Sequence, residues 1–434
     1  MPLPPLLSRA DAERSGPHFR GSLAPLRSRD FALYLAGAGT SYTGRWIELT
    51  GTVWLLSELT TSPVLLGLLG LFRAAPTVIL GPLAGVIVDR VDRRRLLVST
   101  QVLGFAASTA LALLVISGRV EIWHVYIQLM MQGVVEAFDY TIRQALLPDL
   151  VGHAQRAEAI TLNTTAGRAA KFVGPLVAGI LIARVHTAAP FVVNACSFVA
   201  LAMVALVMRI PRPEPRDRHP FRHEIVAGMS HLIRTPVLRG LVQMEIAFAL
   251  LAVNPVAITI VARDVMGVGP EGLGALLAAP GLGALFGLVV LLAVGHPGRQ
   301  GRFVVLCTLG YAVALAGLAL ARDVPPALVF LFAAGVFDVL VTVTRWSVIH
   351  FTVPSEMRGR MVANVLSVTN GLNQLGQTQS GVLIGSLGAP IALLTASVAL
   401  GATALTTAVA NRPLWLFSRE MPELEIAATS APPA

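Results

Sequence analysis

Charge is scarce in this sequence: 13% of its 434 residues are Asp, Glu, Lys or Arg, against about one quarter in an average soluble protein. Lysine is almost absent, because 32 of the 33 basic residues are arginine and Lys171 is the only lysine. A phosphate-cradling GxxxxGK[ST] loop needs Lys followed by Ser or Thr, whereas Lys171 is followed by Phe172. That excludes nucleotide-driven work by this chain, and ATP is not an expected partner. Cysteine is limited to Cys196 and Cys307, in separate apolar stretches, which gives neither a disulfide framework nor a paired-thiolate metal site. The nine histidines form no HExxH and none is followed by Asp at HxxxxD spacing. No metal, no cofactor and no enzyme activity are expected.

What is abundant is apolar: 55% of the residues are hydrophobic, enough for about twelve helices of roughly 20 residues each across a bilayer. The long apolar runs continue to the end, unlike the short alternating segments of an outer-membrane barrel. They fall at 31–57, 63–88, 96–117, 121–145, 158–183 and 187–208, then after a polar stretch at 238–262, 271–294, 302–321, 325–350, 361–385 and 388–410. The expectation is an all-α membrane protein of twelve transmembrane helices in two six-helix halves. Its parts would be a tail (1–30), a first bundle (31–208), a linker (209–237), a second bundle (238–410) and a second tail (411–434), read as disordered beyond Arg412.

The net charge of +9 does not point to nucleic acid, because the arginines sit in short loops rather than on one solvated face. With the N-terminus inside, 23 basic residues fall on the cytoplasmic side and four (Arg119, Arg184, Arg263 and Arg322) outside, the bias expected of cytoplasmic loops. Both termini are therefore placed in the cytoplasm, with no signal peptide at the start. In the linker, Ile225, Met229, Leu232 and Ile233 follow helical spacing and read as an amphipathic surface helix tethering the halves. A parallel repeat shows at an offset of 202 residues, carrying Arg143, Gly174 and Gly179 onto Arg345, Gly376 and Gly381.

Between the second and third segments stands GPLAGVIVDRVDRRRLL. Its Gly85, Asp89, Arg90, Arg93, Arg94 and Leu97 resemble motif A of the major facilitator superfamily, GxLaDRxGRRxxL, with Asp92 where glycine is usual. Glycines let helices approach closely, and the charges at a membrane edge suit a latch that breaks as two halves rock. Four more stretches resemble the branch of that superfamily holding the enterobactin exporter and macrolide efflux proteins: LRSRDFALYLAGAGTSYTGRW, RQALLPDLV, VAGMSHLIRTPVLRG and VPSEMRGRMVANVLSVTNGLNQLG. In GRAAKFVGPLVAG, Gly174, Pro175, Ala178 and Gly179 resemble motif C, GPxxGG, of the proton-coupled antiporters, a sealing or hinge segment. Gln132-Gly133 resembles the end of motif B, RxxQG, but Leu129 stands where its arginine belongs, so either another base serves or the coupling differs. The turn GHPGRQGR, which matches motif A in the second half, lacks its acid.

The resemblance implies efflux of a small molecule in exchange for protons, from a multi-pass protein of a bacterial inner membrane. Its partners would be the bilayer, the substrate and protons, with a monomer as the working unit. The substrate expected is amphipathic, a drug or a siderophore. A lysophospholipid flippase of the same fold, or a sensor that has lost transport, are the rival readings.

Ionisable residues inside a membrane are costly and are functional candidates by default. The acids are Glu48, Glu136, Asp139, Glu245 and Asp338, and all fall on the first helix of a three-helix unit. The bases are Arg45, Arg73, Arg143, Arg168, Lys171 and Arg345. Proton-coupling candidates are Glu48, Glu136, Asp139 and Asp338. Arg45 and Glu48 share a helical face, as do Glu136 and Asp139, the latter read as a like-charged pair. Lys171 and Arg168 are positioned to exchange partners with those acids. Asp139 and Asp149 are alternative partners for Arg93. Cavity candidates are Arg45, Lys171, Arg168, Glu245, Arg345, Trp46 and Phe138, with Tyr34, Tyr126, Phe248 and Trp346 as further aromatic contacts. Glu245 is expected near water, and Asp338, deeper, is a substrate-facing charge suited to cationic or amphipathic compounds.

Overall fold

A computed structural model of the chain describes residues 23–88, 90–152, 155–209, 235–295, 297–352 and 355–418. The chain forms twelve long helices with no strand among the described residues. In the first half these are α1 (Arg29–Leu59), α2 (Pro63–Val88), α3 (Arg93–Ile116), α4 (Ile122–Leu146), α5 (Arg156–Arg184) and α6 (Ala189–Val207). In the second they are α7a (Pro236–Leu251) with α7b (Pro255–Ile260), α8 (Pro270–Val294), α9 (Gln300–Leu320), α10 (Val324–Thr352), α11 (Ser355–Leu387) and α12 (Ala389–Ala410). A short α13, Arg412–Leu416, follows. Among the described residues nine spans are long and apolar enough to cross a membrane on those grounds alone, and α1, α4 and α11 lie outside that set.

Proline at the first helical turn starts α6, α7a, α7b, α8 and α12, where its missing N–H is one the helix would leave unpaired anyway. Asp92 caps α3 by accepting from the N–H of Arg95, and that bond holds its carboxyl below the usual carboxylate range. Two expectations need correction. The seventh apolar segment is not one helix: Pro255 has no N–H for the carbonyl of Leu251, and the chain breaks at Ala252–Asn254, with Asn254 capping α7b. Nor does irregular chain begin at Arg412, because Asn411 caps α13 and Gly301 donates from its N–H to the carbonyl of Phe417; the tail expected over 419–434 lies outside the described residues. The amphipathic linker helix lies outside the described residues.

Loop contacts define two faces. Ser28 donates to the carbonyl of Leu150, Arg94 to that of Met208, and the N–H of Arg209 to Asp30. In the second half Asn411 donates to the carbonyl of Pro236. These ends form the near face. At the far face Arg263 donates to the carbonyls of Ser57, Thr60 and Thr61, and Arg184 pairs with Glu271 at 2.8 Å, so the two halves are tied there.

The apolar core has the same asymmetry. One cluster combines Leu56, Leu66, Leu69 and Phe191 of the first half with Val256, Ile260, Leu273, Leu276 and Ile384 of the second. Toward the near face the cores separate: Phe31, Tyr34, Leu97, Ile142 and Leu146 in one half, Leu238, Met244, Val304, Val339 and Leu414 in the other. The halves therefore meet along α5–α8 and α2–α11, are sealed at the far face and part toward the near face.

The 202-residue offset is visible in these contacts. A Cβ on Gly174 (α5) would meet Trp46 of α1, and one on Gly376 (α11) would meet the carbonyl of Ala249 in α7a. A Cβ on Gly179 would lie 2.7 Å from the carbonyl oxygen of Pro270 in α8, and one on Gly67 (α2) 2.8 Å from the Cα of Gly381 in α11. Each glycine of the repeat does the same job in its own half: one turn admits a neighbour within the half, the next admits the opposite half.

Candidate functional site

Glu48 sits in the middle of α1, and its side chain is buried among neutral donors. Ser108 of α3 and Asn194 of α6 each donate to it at 2.5 Å, Gln128 of α4 at 2.8 Å and Gln132 at 2.9 Å. Among the described residues no cation lies within 4.0 Å of this carboxylate, so it does not pair with Arg45 as the shared helical face had suggested. Spacing of three gives a common face, but Arg45 extends away toward Asp139. Beside Glu48 is a small recess lined by Arg45, Leu49, Thr52, Arg73, Gln128, Leu129 and Gln132.

The two acids of α4 are held separately rather than as a like-charged pair. Glu136 binds Arg73 of α2, Nε to Oε2 at 3.0 Å. Asp139, 2% exposed, binds Arg143 one turn along at 2.8 Å, takes Arg45 at 3.9 Å and accepts from Gln101 at 3.3 Å. Arg143 also donates to Ser41 of α1 and lies over the ring of Tyr42, as does Arg45. Arg345, the repeat partner of Arg143, binds Glu245 of α7a. Glu245 is 7% exposed and so is not a water-facing acid: α10 covers it.

Three charged groups remain. Arg168 and Lys171 of α5 and Asp338 of α10 make no ion pair within 4.0 Å among the described residues, so the α5 cations do not engage the acids of α4 in this conformation. Lys171 instead lies over the ring of Trp46, 5.7 Å from its centroid. Arg168 is within electrostatic reach of Asp338 across the gap between halves.

At the near face Arg93 is 7% exposed and binds Asp149, not Asp139, at 2.6 Å, with a longer contact to the carbonyl of Ala145. Arg94 donates to the carbonyl of Met208 at 2.6 Å. Arg90 is exposed, and Asp89 lies outside the described residues. Among the described residues the partners of Arg93 and Arg94 all belong to the first half and a Cβ on Gly85 would meet nothing within 4 Å, so Gly85 makes no close helix approach among them. Pro175 lies inside α5, and its carbonyl oxygen would be 2.6 Å from a Cβ on Gly274, so the motif C segment is part of the far-face seal.

The aromatic candidates divide. Trp46 joins Lys171, and Phe248 packs on Tyr311 at 4.5 Å. Phe138 and Tyr34 belong to the near-face core of the first half, and Trp346 to that of the second. Tyr126 stacks on Phe72 and donates to the carbonyl of Leu65. Reading the sequence by its charges missed Ser108, Gln128 and Asn194. Their signal was there, as amide and hydroxyl side chains inside otherwise apolar segments.

Residues 20–427 match the model of the transmembrane secretion effector family. The chain is 25% identical to an uncharacterised MFS-type transporter of Bacillus subtilis, YfiS, over 87% of this chain and 92% of that one. It is 27% identical to the enterobactin exporter EntS of Shigella flexneri, over 72% of this chain and 74% of that one. It is 23% identical to the multidrug efflux pump Tap of Mycolicibacterium fortuitum, over 84% and 92%. Among solved structures, the nucleoside transporter NupG (D323A mutant) superposes with a TM-score of 0.71 at 10% identity, over 89% of this chain and all of that one. A bacterial homologue of the human lysosomal transporter Spinster, inward-facing and unoccupied, gives 0.66 at 14% identity, over 90% and 97%.

Proposed function

The chain belongs to the transmembrane secretion effector family of the major facilitator superfamily, and from that premise we propose that it exports an amphipathic small molecule, a drug or a siderophore, by proton antiport. The observation that carries this reading is Glu48: a membrane-buried carboxylate satisfied by four neutral donors. Either charge state can be accommodated there. The neutral acid needs no counter-ion, and the ionised one has four donors in place.

In this reading the near face is cytoplasmic, the membrane is the bacterial inner membrane and the working unit is a monomer. The conformation is then cytoplasm-open, with the far face closed by α5–α8 and α2–α11. The halves, taken as residues 1–208 and 238–410, rock about the α5 segment that holds Gly174, Pro175 and Gly179. When the far face opens, Arg90, Arg93 and Arg94 meet the second half and hold the cytoplasmic side shut. A proton enters from outside and neutralises Glu48 or an acid of α4, favouring release of substrate outward and the return of the empty carrier. Arg73 supplies the guanidinium that Leu129 does not, because both line the recess beside Glu48. Its pairing with Glu136 leaves Glu48 free to bind a proton, and its approach to Glu48 expels one.

The test is pH-dye quenching in energised inside-out vesicles challenged with lipophilic cations, macrolides, catecholate siderophores and lysolipids. Proton release evoked by one class and lost in Glu48→Gln supports the reading. Substrate movement without proton release contradicts the coupling, and lysolipid alone as substrate replaces drug export by lipid movement.

A further inference from the structure

The ion pairs inside the membrane account for every buried base except two. Arg45 and Arg143 share Asp139, Arg73 has Glu136 and Arg345 has Glu245. Arg168 and Lys171 are left on α5 with no carboxylate within 4.0 Å among the described residues. An unpaired cation at membrane depth is expensive unless it meets water or a ligand. Lys171 is turned from the side of α5 marked by Val173 and Ile180, 41% and 56% exposed, since at about 100° per residue it lies about 160–180° from both. Arg168, one turn nearer the open face, is within electrostatic reach of Asp338 on α10.

The surroundings give the ligand a shape. Trp46 presents its ring under Lys171. Beside it α8 packs its backbone directly on α5, since a Cβ on Gly281 would lie 2.8 Å from the N of Phe172 and 2.9 Å from the carbonyl carbon of Lys171. Two cations and one aromatic face are thus grouped beside the contact with α8, and Asp338, which among the described residues makes no ion pair within 4.0 Å, is within electrostatic reach of Arg168.

We propose that Lys171, Arg168 and Trp46 form the subsite for an organic anion carried on an aromatic or apolar body, a carboxylate or phenolate, and that the exported substrate is of this class. The proposal rests on the export reading for the direction of movement but not for the binding. Lys171 and Arg168 supply the charge-assisted hydrogen bonds, and Trp46 supplies the face on which the apolar body stacks. Asp338 sets the selectivity against ligands carrying further negative charge.

The test is equilibrium dialysis of the full chain in lipid nanodiscs against 2-naphthoate, 2-naphthamide and 2-naphthylmethylammonium, one ring under three charges. Naphthoate is expected to bind about tenfold tighter than naphthamide. Lys171→Gln and Arg168→Gln are each expected to remove most of that difference with naphthamide unchanged, while Lys171→Arg keeps it. Preference for the ammonium, equal affinity for all three, or a naphthoate preference surviving both glutamine variants overturns the proposal. So does the absence of saturable naphthoate binding to folded wild-type protein. The measurement needs no gradient, so naphthoate binding in a protein that moves no protons overturns antiport and leaves the anion site standing.

Discussion

Arg73 reaches from α2 to Glu136 on α4, with Nε 3.0 Å from Oε2, and lines the same recess as Glu48 and Leu129. It stands one turn from Gly70, where α2 meets Gln377 and Thr378 of α11 in the far-face seal.

If Arg73 does the work left undone at Leu129, Arg73→Gln lowers substrate-coupled proton flux by about tenfold or more. Adding Leu129→Arg to that variant restores much of it, since the new guanidinium enters the same recess. The check is proton flux per molecule of folded protein in proteoliposomes. No recovery in the double variant, with its fold intact, contradicts the assignment.

The pair formed by Arg345 and Glu245 is buried on both sides, 6% and 7% exposed. Removing one partner strands the other, so Glu245→Leu or Arg345→Leu alone costs about 3 to 5 kcal/mol of stability. The double variant costs less than the two single effects together. Reversible unfolding in mixed micelles measures all three.

At the far face a side chain on Gly274 meets the carbonyl of Pro175, and one on Gly67 meets the Cα of Gly381. Gly274→Leu is expected to force α5 from α8 and shift the population away from the far-closed state. Spin labels or cysteine accessibility at far-face positions report the shift. In a background with Cys196 and Cys307 replaced by Ser, Arg184→Cys with Glu271→Cys, whose native side chains pair across that face, is expected to be bridged by a short cleavable thiol-reactive cross-linker and to stop turnover, reversibly on cleavage. Full turnover in the cross-linked protein contradicts alternating access through this seal.

Asn194 places its amide on the Glu48 carboxylate from α6. Asn194→Ala removes one of four donors and costs about 1 to 3 kcal/mol, whereas Glu48→Gln keeps the site filled. Thermal unfolding is thus expected to fall further for Asn194→Ala than for Glu48→Gln, while proton coupling falls further for Glu48→Gln. A reversed order in either measurement makes Glu48 a structural group.

The helices were legible because bilayer thickness imposes one length on every apolar run, and Pro63–Val88 coincides with its segment. The break in α7 was not, since proline is tolerated inside membrane helices such as α5 and α8 and sequence alone does not say which proline breaks one. For the charges, the sequence showed which residues are buried but not who meets whom. Arg45 and Glu48 share a face, yet long side chains choose partners across helices, and Arg45 found Asp139. The donors around Glu48 escaped notice because an uncharged Gln or Asn shifts neither charge nor hydropathy enough to stand out. The glycines at the 202-residue offset were readable because close helix approach tolerates nothing larger.

Substrate-evoked proton release from energised inside-out vesicles, wild type beside Glu48→Gln, tests the central claim most directly. The account predicts release in the wild type, evoked by an anionic amphipathic compound and absent in Glu48→Gln although downhill movement of the same compound persists. Equal proton release in both proteins, or export in the wild type with none, contradicts it.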